Sequence, residues 1–180
     1  MDKQIDYNGT QLQSRFAYMN HEILGDSIIA FVGACDIPFE HMVDGEDVLA
    51  KSPICGSKML HFIIEEFSQS LELAVTRQRL FASIARDEIE KLNSEKKLTR
   101  DGDDLFLNDK KISISIATVS PVSAVIHFAM NISNAGTPVK TLSLEDLGLN
   151  TQTVADVIGA RFIDEIRTIK EACCKVNWVK

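Results

Sequence analysis

RDGDDLFLNDKKISISIATVSPVSAVIHFAMNI, residues 100–132, decides the fold. From Lys111 to Thr118, Lys111, Ser113, Ser115 and Ala117 fall on one side and Ile112, Ile114, Ile116 and Thr118 on the other, the period of two that marks a strand. A second run repeats the pattern: Ser123, Val125, His127, Ala129 and Asn131 share one face, and Ala124, Ile126, Phe128, Met130 and Ile132 share an apolar one. Ser120 and Pro121 supply the turn, since proline fixes φ and cannot donate to a ladder. A turn centred on Ser120 predicts Ala117 opposite Ser123, Ser113 opposite His127 and Lys111 opposite Ala129, with Lys111 and His127 as diagonal neighbours roughly 7–8 Å apart.

The hairpin therefore has an oily face that requires a cover and a small polar face suited to the floor of a cleft. Leu71 to Leu92 supplies one cover, with Ala74, Gln78, Phe81, Ala85, Ile89 and Leu92 on a single helical stripe. Residues 153–173 supply another through Val154, Ile158, Phe162, Ile166, Ile169 and Cys173, with Asn150 and Thr151 as caps and Asp156 in the first turn. The run 27–35 is apolar on both faces, as in a central strand, and 59–67 reads as a strand or a helix start, its β-branched and aromatic tail favouring the strand. Leu105 to Leu107 reads as a strand entered through a turn at Gly102, 144–149 as a helical turn ended by Gly148, and 175–179 as a short closing strand. The expected architecture is α+β: one domain over 1–180 with a mixed, largely antiparallel sheet of at least five strands and helices on one face.

With 180 residues, 45% of them hydrophobic, the chain can bury one sizeable core. Its net charge of −7 argues against nucleic-acid or anionic-membrane partners, because the basic clusters at 96–97 and 110–111 are short. The polar start and the lack of a long apolar run indicate a cytoplasmic protein. Cys35, Cys55, Cys173 and Cys174 show no metal-ligand spacing and read as reduced packing thiols. No Gly-x-Ser-x-Gly elbow, P-loop or dinucleotide fingerprint occurs.

Candidate site residues fall in two places. On the hairpin, Lys111 and His127 are the catalytic candidates, with Ser113, Ser115, Asn131 and Asp104 as ligand contacts. Lys111 serves equally as a point charge for an anion or as an edge-strand lysine, and His127 as a general base or a hydrogen-bonded structural group. In the loop-like stretch 36–57, His41, Asp44, Glu46 and Asp47 form a candidate metal cluster, read alternatively as a solvated loop whose acids cap a helix starting near Glu46. This acidic loop is expected to lie beside Lys111.

GDSIIAFVGACDI, HMVDGEDV, MLHFIIEEF, TRQRL, the hairpin block and the following GTPV closely resemble the family catalogued as domain of unknown function 366. The resemblance implies a fold similar to biotin and lipoate protein ligases and, more distantly, class II aminoacyl-tRNA synthetases. Asp103-Asp104-Leu105, Lys111-Ile112-Ser113-Ile114 and Ile126-His127-Phe128-Ala129 stand where lipoate ligases carry Asn-Asp-Leu, Lys-Val-Ser-Gly and His-His-Gly-Thr. By that resemblance Lys111 falls on the lysine that contacts an acyl adenylate; the cofactor stays open, with ATP or Mg2+ as the candidates and the acidic loop as the place for the metal. Ile114 replaces a glycine, and 36–57 replaces the arginine- and glycine-rich ligand loop. Three functions follow: a small-molecule binding or group-transfer protein for an anionic or acyl ligand, a non-catalytic binding or assembly module in which homo-oligomers are possible, and a metal-dependent hydrolase using the acidic loop with His61.

Overall fold

The alternating runs at 113–119 and 124–131 do form an antiparallel hairpin, but in another register. In the computed structural model, which describes residues 5–179, the elements in chain order are α1 (Phe16–His21), β1 (Ser27–Asp36), a 3-10 turn (Phe39–His41), α2 (Gly45–Ala50), β2 (Cys55–Glu66), α3 (Leu71–Leu92), β3 (Thr99–Asp101), β4 (Asp104–Leu107), β5 (Lys110–Lys111), β6 (Ser113–Val119), β7 (Ala124–Asn131) and α4 (Thr151–Lys175). The main sheet has the antiparallel order β1-β2-β7-β6, and β3-β4-β5 form a second, three-stranded sheet. The strands thus divide between two sheets instead of forming one of five or more.

Val119 pairs with Ala124, so the loop holds Ser120, Pro121, Val122 and Ser123, closed by Ser120 N donating to Ser123 O at 2.8 Å. That moves the register three residues from one centred on Ser120. Because three is odd, it reverses which face of β6 matches which face of β7. Ser113, Ser115 and Ala117 lie opposite Met130, Phe128 and Ile126, while Ile114 and Ile116 lie opposite Ala129 and His127. The expected pairings of Ser113 with His127 and Lys111 with Ala129 are therefore incorrect. Lys111 instead pairs with Phe106 in the small sheet. Ile112 is where the chain changes partner: its N–H donates to Leu105 O and its carbonyl accepts from Asn131 N.

On one face, α3 and α4 bury Phe62, Ile64, Ile126, Phe128 and Met130, with Phe81 at the centre. Phe81 meets Phe62, Phe128 and Phe162 edge-on at centroid distances of 5.1, 5.0 and 5.1 Å, the favourable geometry for aromatic quadrupoles. Both helices start on the caps that their sequences offer: Ser70 Oγ accepts from Leu73 N at 3.1 Å, and Asn150 Oδ1 from Thr153 N at 3.0 Å. At the end of α4, Cys173 and Cys174 are exposed and not packed; all four cysteines are free thiols. Residues 176–179 form no strand.

The run 27–35 lies at the sheet edge, not its centre. Its apolar character has another cause, the N-terminal segment that covers the edge: Ile5 N donates to Val32 O, Tyr7 N to Ala34 O and Asp36 N to Tyr7 O. The approach is close enough that a Cβ on Gly33 would sit 1.9 Å from Ile5 O, so only glycine fits there. No helix among the described residues is long and apolar enough to cross a membrane.

Candidate functional site

The sheet face opposite α3 and α4 is only partly filled. Its small core holds Tyr7, Phe16, Phe31, Met59, Ile63, Val125 and Ala129. Beside this core opens a cavity of about 480 Å³, within the range of small-molecule sites. All ten residues singled out from the sequence line it: Lys111, His127, Ser113, Ser115, Asn131 and Asp104 from the strands, and His41, Asp44, Glu46 and Asp47 from the segment 36–57, which does lie beside Lys111. Lys111 and His127 line the same cavity from different strands and are not neighbours in one ladder.

Lys111 Nζ is held 2.7 Å from Asp104 Oδ2, with both side chains about one-third exposed (31% and 30%). The ion pair aims the ammonium, which has three N–H donors, and leaves it open to a further acceptor. Ser113 Oγ accepts from Leu105 N at 2.9 Å, and Ser115 Oγ accepts from Gln78 Nε2, which also reaches Asp103 Oδ2 (2.8 Å each). Asn131 Nδ2 donates to Leu142 O at 3.2 Å and Lys111 O at 3.4 Å, tying the 140–144 segment to the sheet. These hydroxyls and this amide primarily brace the wall.

The acidic segment behaves as a capped helix. Asp44 Oδ1 accepts from Glu46 N at 2.8 Å and Asp47 N at 3.3 Å, and His41 Nδ1 lies 2.9 Å from Asn8 O. Among the described residues, no three His, Cys, Asp or Glu side chains converge as metal ligands. Asp44, Glu46, Asp47, Asp103 and Asp104 face the cavity against the single ammonium of Lys111. Burial, then Asp44, pushes the Asp47 carboxyl up, and burial, then Asp104, does the same for Asp103. Such a wall repels a triphosphate, and the residues present do not fit ATP.

The floor is a stacked aromatic group. The Tyr7 and His127 rings lie 3.7 Å apart at 11°, and His61 stacks on Phe31 at 5.0 Å. His61 Nδ1 is 3.0 Å from His127 Nε2, and His61 Nε2 is 3.3 Å from Gly33 O. Burial lowers the His61 pKa to about 4, and burial together with His61 holds His127 well below the usual imidazole value, so both rings are neutral at neutral pH. A neutral pair with so little basicity does not suit His127 to general-base work.

Tyr7 escaped sequence reasoning. It lies in a polar stretch without periodicity and reaches the floor only through its bridge to Cys35. His61 had a signal, being the polar residue of an apolar strand, and its imidazole points at another imidazole rather than at carboxylates.

The antiparallel sheet backed by two long helices is a fold shared with biotin protein ligase-like proteins. The chain is similar in structure to the biotin protein ligase of Aquifex aeolicus in complex with biotin and ATP (TM-score 0.64, 11% identity, 93% of this chain and 70% of that one). It is similar as well to a biotin protein ligase-like protein of unknown function from Silicibacter (TM-score 0.55, 11% identity, 94% and 71%). At such identities the likeness is one of fold. The chain belongs to the family Domain of unknown function (DUF366), whose model matches residues 1–177. Within reach in sequence are a protein of unknown function from Pyrococcus horikoshi (TM-score 0.95, 37% identity, 100% and 96%) and an uncharacterized protein of Methanocaldococcus jannaschii (36% identity over 173 residues, 92% of this chain and 77% of that protein).

Proposed function

We propose that the chain binds a small acyl molecule carrying at most one negative charge, its apolar body along Leu12, Ile37, Ile54, Met59 and Ile114 and its carboxylate at Lys111. One observation carries the reading: a single cavity passes from that apolar wall to the aimed ammonium of the Lys111–Asp104 pair. Lys111 acts as the electrostatic stabiliser, and the surrounding carboxylates set the limit on ligand charge. The fold shared with a biotin protein ligase that binds biotin, a carboxylic acid, supports acyl chemistry as a class.

Thermal-shift titration with octanoate, hexanoate, and ATP with and without Mg2+ tests this, because a ligand of the folded state raises stability by mass action. Octanoate should raise the midpoint, Lys111→Ala should remove most of the rise, and ATP should be without effect. A shift with ATP alone, or undiminished octanoate binding by Lys111→Ala, overturns the proposal.

A further inference from the structure

The hydrogen positions on the floor are dictated by one carbonyl. Gly33 O can only accept, so His61 Nε2 carries a proton. His61 being neutral, its Nδ1 is a lone pair, and His127 Nε2 must donate to it. His127 being neutral, its own Nδ1 is left as a bare lone pair. The tautomer of a ring facing the cavity is thus set by a backbone oxygen two residues of the network away.

Neither His127 Nδ1 nor Tyr7 Oη makes a hydrogen bond to any described residue. Neither atom is among the sealed, unpartnered polar atoms, which are Ser27 Oγ, Glu66 Oε1 and Arg77 Nε. His127 and Tyr7 are 98% and 99% buried by their exposures of 2% and 1%, yet both line the cavity. What these two side chains have left to offer opens there: an acceptor from the imidazole and a hydroxyl donor from the phenol. Burial raises the phenol pKa well above its ordinary value, so the hydroxyl keeps its proton. The ring stacking sets the phenol and the imidazole face to face, with centroids 3.7 Å apart.

We infer that this floor selects a ligand head with an N–H donor beside a carbonyl, a secondary carboxamide, whose N–H meets His127 Nδ1 and whose oxygen accepts from Tyr7 Oη. The inference rests on the cavity being the acyl site proposed above and adds the chemistry of the ligand end that does not carry the carboxylate. A cation or anion is disfavoured at this end, because neither ring offers a compensating charge. A purely hydrocarbon head would leave two buried polar atoms unpaired, the situation hydrogen-bonding sites use to reject ligands.

Three probes separate the possibilities: 6-acetamidohexanoate, its N-methylated amide, and octanoate, titrated by calorimetry into wild-type protein, Tyr7→Phe and His127→Ala. Wild type should prefer the secondary amide over both others by about tenfold or more. Tyr7→Phe keeps the ring stack and should lose most of that preference with octanoate affinity unchanged, and it guards against a folding defect in His127→Ala. In 15N-labelled wild type, the His127 Nδ1 resonance should report an unprotonated nitrogen between pH 5.5 and 8 and should shift on adding the secondary amide. Equal affinity for all three probes, or a protonated Nδ1, overturns the inference and leaves the acyl site standing. Failure of octanoate and of both amides to bind wild type overturns the site itself.

Discussion

The two faces of the main sheet are built to different ends from the same strands. The face under α3 and α4 is filled by Phe62, Phe81, Phe128 and Phe162 interlocked edge to face, with a boundary set by shape. The opposite face places Tyr7, His61 and His127 where hydrocarbon would pack better, and leaves about 480 Å³ open beside them. The first face accounts for much of the stability. The second spends packing density on polar atoms held in one arrangement, the expense expected of a binding surface.

That contrast can be broken most forcefully at the filled face. Phe81→Ala should cost about 3–5 kcal/mol in urea-unfolding free energy, the usual loss for a buried phenylalanine, since three aromatic contacts vanish and the helix cannot collapse on the gap. A loss below about 1 kcal/mol would place the structural weight elsewhere.

Acid probes the other face. The folded-state His61 pKa of about 4 lies below the 6.5 of an unfolded imidazole, and that of His127 is lowered too, so the unfolded chain binds more protons across that interval. The neutral pair therefore contributes fully above about pH 6.5 and less as pH falls toward 4, by roughly 3 kcal/mol for His61 alone. Glu66, Asp47 and Asp103, with raised carboxyl pKa values, act in the opposite sense. Subtracting the pH profile of a His61→Phe/His127→Phe double variant isolates the histidines, and parallel profiles would refute the assignment.

Two smaller changes sharpen the comparison. Asp44→Ala removes the cap of α2 and should cost about 1 kcal/mol, visible as faster amide exchange at Glu46 and Asp47 with the aromatic core unaffected. Lys111→Ala should change unfolding free energy by less than about 1 kcal/mol, because its ion pair is solvent-accessible, while acyl binding falls sharply. A large stability loss would make Lys111 a structural residue.

Much of this was legible in the chain. The helix at 71–92 agrees with its expected bounds to the residue, with Leu92 alone of its stripe exposed, and the second helix starts at the cap offered by Asn150. Both strands of the hairpin were visible, as was the strand at 59–67, which β2 covers up to Glu66, because periodicity and capping are local properties. The position of 36–57 beside Lys111 followed from charge and family resemblance together. The edge position of β1 was hidden, since an apolar run reads the same whether a strand neighbour or an N-terminal segment covers it.

By itself, the sequence determined the two long helices, the strands of the hairpin and which residues share a face within one strand, because side-chain direction follows from backbone geometry over two to four residues. Only the tertiary structure decided how faces match between strands. A turn centred between Pro121 and Val122, and the change of partner at Ile112, displaced the register by three residues and put Ser113 and Ser115 opposite Met130 and Phe128. The floor, too, was decided in three dimensions: Tyr7, His61 and His127 come from three distant segments, and one carbonyl of Gly33 sets the proton on each imidazole. Register and hydrogen-bond direction depend on partners remote in the chain, and no local pattern encodes them.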